Sequence, residues 1–131
     1  MDSTGHFAAL ETDECRHLLR GESIGRIVWL SPTSGLQSLP VAYRMLGHDI
    51  FFRTDPESIL GELSESTPVA FQIDDVDVDT QSGWSVLVQG TARRWDGSPP
   101  EILPTPWVPG IRPLVIRVEP ATYSGRAVAV P

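Results

Sequence analysis

The sequence predicts a small, mainly β protein in which about six short strands, interrupted by two short helices, close into a barrel or split barrel. Three observations point there. Short runs rich in β-branched and aromatic residues recur along the chain, bounded by turn residues. Most of the joints between them have hairpin length. Twelve prolines and eleven glycines in 131 residues favour many turns over long helices.

The elements follow in order. Leu10–Arg20 predicts a helix, with Leu10, Leu18 and Leu19 near one face, Thr12 or Asp13 as cap and Gly21 as stop. Ile24–Leu30 is a strand that ends at Ser-Pro-Thr-Ser-Gly, residues 31–35. Leu39–Leu46 and Ile50–Arg53 make a hairpin about Gly47-His48-Asp49. Asp55-Pro56 reads as a helix start, Asp as N-cap and Pro at the first position, with Ile59, Leu60 and Leu63 as the apolar face. Pro68–Ile73 is a buried strand, and residues 74–83 an acidic loop. Trp84–Trp95 is the longest strand, with Gly90 as a bulge or bend. Residues 97–113 hold six prolines and predict a loop with one helical turn near Glu101-Ile102-Leu103. Leu114–Val118 is the last clear strand, and Tyr123–Val130 a short addition.

Composition bounds the function. The whole chain, 1–131, reads as one domain with residues 1–9 as a flexible tail. Net charge is −7, ten basic residues against seventeen acidic, so neither nucleic acid nor an anionic membrane surface is an expected partner. A lone Cys15 fits a reducing compartment, and no basic-then-apolar leader or apolar run of about 20 residues occurs, which predicts a cytoplasmic soluble protein.

Few motifs carry chemistry. Asp75, Asp77 and Asp79 have the first spacings of a calcium loop, but Thr80 stands where glycine is needed and Val86 where a bidentate Glu belongs. A solvated acidic loop is the reading. His6, His17 and His48 lack metal-ligand spacing with Cys15, which reads as a buried, inert thiol. Hydrolase and nucleotide-loop signatures are missing. Trp29, Trp84, Trp95 and Trp107 are core or interface residues or the wall of a flat ligand's pocket, Trp84 being the best placed for a wall. Arg53-Thr54 before a turn suits an anion, with a forked donor beside a hydroxyl.

Taken together, "ECRHLL" (14–19), "GRIVWL" (25–30), "LPVAYRM" (39–45), "FFRTDPESIL" (51–60), "GWSVLVQGTA" (83–92), "PWVPGIRP" (106–113) and "YSGRAV" (123–128) resemble the pyridoxamine 5′-phosphate oxidase-like, flavin-binding split-barrel family, in its short actinobacterial branch. The resemblance implies a six-stranded split β-barrel with two or three short helices. It also implies a homodimer that holds FMN, or a deazaflavin, at the subunit interface. On that likeness Pro40, Val41 and Tyr43 pass beside the flavin ring, Arg53, Thr54 and Ser58 hold the phosphate, and Trp84 and Ser85 approach the cofactor.

The family's turn after Arg-Thr carries a glycine and a phosphate-touching lysine where this chain has Glu57 and Ile59. A lost charge-assisted contact costs roughly 1.5–3 kcal/mol, about ten- to a hundred-fold in affinity. Two functions from different classes follow. One is an FMN-binding oxidoreductase of unknown small-molecule substrate, whose cofactor carries the chemistry and whose catalytic residues the sequence does not name. The other is a degenerate split-barrel dimer without FMN, a non-enzymatic module for another ligand or a protein. A deazaflavin or haem binder lies between.

Overall fold

The computed structural model describes residues 6–97 and 114–129. The order is β1 (His6–Ala9), α1 (Thr12–Gly21), β2 (Ile24–Ser31), β3 (Gly35–Ala42), β4 (Arg44–Leu46), β5 (Asp49–Thr54), a 3₁₀ segment (Ile59–Ser64), β6 (Thr67–Asp77), β7 (Ser82–Arg94) and β8 (Leu114–Ala129). All pairings are antiparallel, in the sequence β3-β2-β6-β7-β8-β5-β4, with β1 added to β8. β3 and β4 are one strand broken at Tyr43: its first part pairs with β2 and its second with β5. That strand joins the two ends of the sheet into a six-strand circuit. The split-barrel prediction holds.

Alternation sets the inner face. Ile27 and Trp29 of β2, Val69, Phe71 and Ile73 of β6, Val86 and Val88 of β7, and Ile116 and Val118 of β8 all point into one core. Gly25 makes room there, because a Cβ at this position would run into the Phe71 ring. α1 covers one end of the barrel with Cys15 and Leu19, both fully buried. Burial, and secondarily the charge of Glu14, push the Cys15 thiol above its ordinary value, so it stays protonated and inert.

Tyr43 explains the strand break. Its ring packs edge-on against Phe71, and its hydroxyl donates to the Leu19 carbonyl at 2.5 Å. Leu19 lies in the last turn of α1, where a carbonyl lacks a helical partner. The residue that interrupts β3–β4 thus ties the helix end to the barrel.

Several sequence expectations are corrected. Residues 6–9 form a strand on β8 rather than part of a flexible tail. The helix begins at Thr12 with Glu11 as N-cap, its backbone N–H donating to Glu14 Oε1 at 3.0 Å, so neither Thr12 nor Asp13 is the cap. Asp74–Asp77 continue β6 instead of opening a loop, because Ser82–Ser85 supply ladder partners. The turn itself is short. Asp77 Oδ1 accepts from the N–H groups of Asp79 and Thr80, and Gln81 adopts positive φ, 54°. No metal-ligand cluster occurs among the described residues. Leu114–Ala129 is one strand, not two; the register shift at Gln89/Gly90 leaves Ala121 as the extra residue, next to Pro120, which has no N–H to give the ladder. The helical turn near residues 101–103, and Trp107, lie outside the described residues. Among the described residues no helix is long and apolar enough to cross a membrane.

Candidate functional site

The stretch after β5 does not start a helix. Asp55 makes a turn of it: its Oδ1 accepts from Glu57 N–H at 2.9 Å and its carbonyl from Ser58 N–H at 3.0 Å. An Asp followed by Pro favours such a turn as readily as a helix cap. Helical geometry begins only at Ile59, with Ser58 as N-cap, and is 3₁₀. Gly61 permits the close fold-back, since a Cβ there would meet the Pro56 carbonyl.

Within this turn Ser58 Oγ donates to the Asp55 carbonyl at 2.7 Å and lies 2.9 Å from Thr54 Oγ1. Because the Ser58 proton goes to Asp55, the Thr54 hydroxyl is the donor in the second bond. Thr54 is only 4% exposed. Both hydroxyl protons and both turn N–H groups are therefore spent inside the turn. Arg53, on the outer face at the strand end, is exposed. An anion at this place would meet the Arg53 guanidinium; the hydroxyls would reach it only by leaving their present partners.

Ile59 and Leu60 pack against the core cluster. The isoleucine at the usual lysine position is therefore a core-side residue rather than part of the rim. Glu57 is exposed. A residue that the sequence reading missed fixes the 3₁₀ segment: Glu62 accepts from Trp29 Nε1 at 3.0 Å through one oxygen and from Ser31 Oγ at 2.9 Å through the other. Trp29 is thus a core tryptophan with a satisfied N–H. No local signal links positions 29 and 62; the pair meets through packing.

The remaining expected residues separate into two places. Pro40 is exposed on β3, an edge that tolerates its missing N–H, while Val41 is buried and Tyr43 is committed to the core. Tyr43 therefore offers a ligand no free phenol, because its hydroxyl caps α1. These three lead through β4 to Arg53 and Thr54 on β5. Trp84 and Ser85 lie elsewhere. On β8, Arg53 is opposite Val115, whereas Trp84 is opposite Ala127. Twelve residues of strand span roughly 40 Å when straight. The two groups thus pair with well-separated positions of β8.

Trp84 stands between two grooves. One, of about 260 Å³, lies where Gly83 leaves a notch between Val76 and Val128, beside Asp74, Ser85 and Arg126. The other, of about 470 Å³, runs between α1 and β8 past Leu10, His17 and Leu18. Asp74 and Arg126 flank Ser85 across the ladder, a juxtaposition that only strand register creates.

Fold and site define a six-stranded split barrel with a strand-end arginine suited to an anionic ligand. A family model described as pyridoxamine 5′-phosphate oxidase matches residues 11–127, and the chain belongs to that flavin-binding split-barrel family. It is similar to an FAD-binding protein of Mycobacterium smegmatis, at 28% identity over 93% of this chain and 98% of the other, with a TM-score of 0.71. It is also similar to a Corynebacterium glutamicum protein named for pyridoxamine 5′-phosphate oxidase, at 25% identity, 100% and 98% coverage and a TM-score of 0.77. An uncharacterized protein of Mycobacterium tuberculosis is 28% identical over 126 residues, 88% of this chain and 82% of its own.

Proposed function

We propose that the protein binds a flavin nucleotide, FMN or the larger FAD, as a homodimer, and acts as a flavin-dependent oxidoreductase on a small molecule. The observation that carries the reading is Arg53. It is an exposed strand-end guanidinium at the position that holds phosphate in the likeness, within a chain similar to an FAD-binding protein. The separation of the expected residues along β8 supports the dimer, since Arg53 of one copy and Trp84 of another can then face one ligand. An apolar outer sheet face, with Ile24, Val76 and Val128 exposed, supports it too.

A bound flavin supplies hydride or electron transfer. The chain's own part is to hold and orient it: Arg53 on the phosphate, the Pro40–Val41 backbone along the ring, and Trp84 with Ser85 closing from the partner copy. In the titration that tests this, FMN or FAD at micromolar concentration loses fluorescence on binding. Flavin that stays bright, with a colourless protein, overturns the reading.

The second reading is a split-barrel dimer that holds another ligand or a protein, a deazaflavin or haem being intermediate cases. The self-satisfied turn favours it, because Thr54 and Ser58 are already bonded to the protein.

A further inference from the structure

All ten basic residues are arginines, and seventeen acids surround them in the sequence. Two arginines on the outer face near β5 are neutralised within the fold. Arg117 binds Asp49 Oδ2 through Nε and Nη2, both at 2.9 Å, reaches Glu119 at 3.5 Å and stacks over Trp95. Arg93 pairs with Glu119 at 3.3 Å. Two do not follow this pattern. Among the described residues neither Arg44 nor Arg53 has an ion-pair or hydrogen-bond partner.

Strand register puts these two together. Arg44 of β4 is directly opposite Phe51 of β5, and Arg53 is two residues further along β5. They are diagonal cross-strand neighbours, about 7–8 Å apart at the backbone and within reach of long side chains. Alternation assigns both to the outer face, because Met45, Ile50 and Phe52 pack in the core. Phe51, packed edge-on against Trp95, fills the floor beside them. Like charges placed side by side repel, and no acid is paired to either. A bound dianion removes that repulsion and accepts from both guanidinium forks.

We propose that Arg44 and Arg53 form a two-arginine clamp for the phosphate end of the ligand, Arg44 supplying the cation that position 59 lacks. The proposal rests on the flavin-nucleotide reading and deepens it. It also accounts for the turn, whose hydroxyls stay engaged while the arginines do the holding.

The test compares FMN with riboflavin, which has no phosphate, in fluorescence titrations of the wild type, Arg44→Gln and Arg44→Lys, each checked for an unchanged melting temperature. Arg44→Gln weakens FMN about ten- to a hundred-fold, as expected for one lost charged hydrogen bond, and leaves riboflavin unchanged; Arg44→Lys keeps part of the affinity. Wild-type FMN affinity in Arg44→Gln overturns the clamp while the flavin reading stands. If the wild type binds neither flavin, the flavin reading fails. The clamp is then decided by inorganic pyrophosphate: shifts of the Arg44 and Arg53 Nε–H resonances in 15N spectra uphold it, and unshifted resonances overturn it.

Discussion

At the scale of single residues, Tyr43 shows how one side chain can be claimed by the fold. The likeness puts it beside a flavin ring, but its hydroxyl completes α1 and its ring packs on Phe71. Burial first, then the charge of Glu22, raise its phenol well above the ordinary 10.0, with Arg44 acting the other way. The unfolded chain ionises near pH 10 while the folded chain resists. Stability is therefore full below pH 10 and falls as pH rises beyond it. Tyr43→Phe loses one hydrogen bond, about 1 kcal/mol at neutral pH, and shows a shallower alkaline decline. Urea titrations at pH 7 and between pH 9 and 11 measure both effects; equal alkaline slopes in the two proteins would contradict the assignment.

Among elements, the Asp55–Ser64 connection carries the clearest lesson. Asp-Pro reads locally as a helix cap, and the same two residues serve a turn whose later part becomes 3₁₀. Three contacts decide between the two: Gly61 folded onto Pro56, Glu62 bonded to Trp29 and Ser31, and Ile59 against the core. The likeness suggests that Ile59→Lys restores a phosphate contact. The packing says otherwise. A lysine there gives up apolar contacts and must extend its charge outward, so Ile59→Lys costs about 1–2 kcal/mol of stability and leaves FMN affinity within about twofold. Chemical denaturation and the flavin titration read the two quantities separately. A tenfold gain in FMN affinity would show that the side chain reaches the phosphate after all. β8 gives a second case: the sequence reads as one strand ending at Val118 and another starting at Tyr123, yet a bulge at Gln89/Gly90 carries the ladder through the gap.

At the scale of the molecule, the sheet is a six-strand circuit whose expected ligand residues lie at opposite ends of β8. The proposed composite site takes one end from each of two copies. Light scattering on a sizing column should give twice the 14.4 kDa chain mass. A charge placed in the apolar outer face, Val128→Asp, should shift the protein toward monomer and weaken flavin binding together. A monomeric wild type would remove the composite site.

The sequence by itself determined the β-rich class, the strand and turn positions along most of the chain, the Gly90 bulge and the buried character of Cys15. These are local properties: side chains alternate with period two, and turn residues act on their own backbone. The resemblance narrowed the barrel to a six-stranded split barrel and gave Arg53 a phosphate to hold. Only the tertiary structure decided that residues 74–77 extend a strand, that the Tyr43 hydroxyl caps α1, and that Arg44 stands beside Arg53. Those outcomes depend on which distant strand supplies the neighbours and on how the register aligns them, and neither is encoded in any short window of residues.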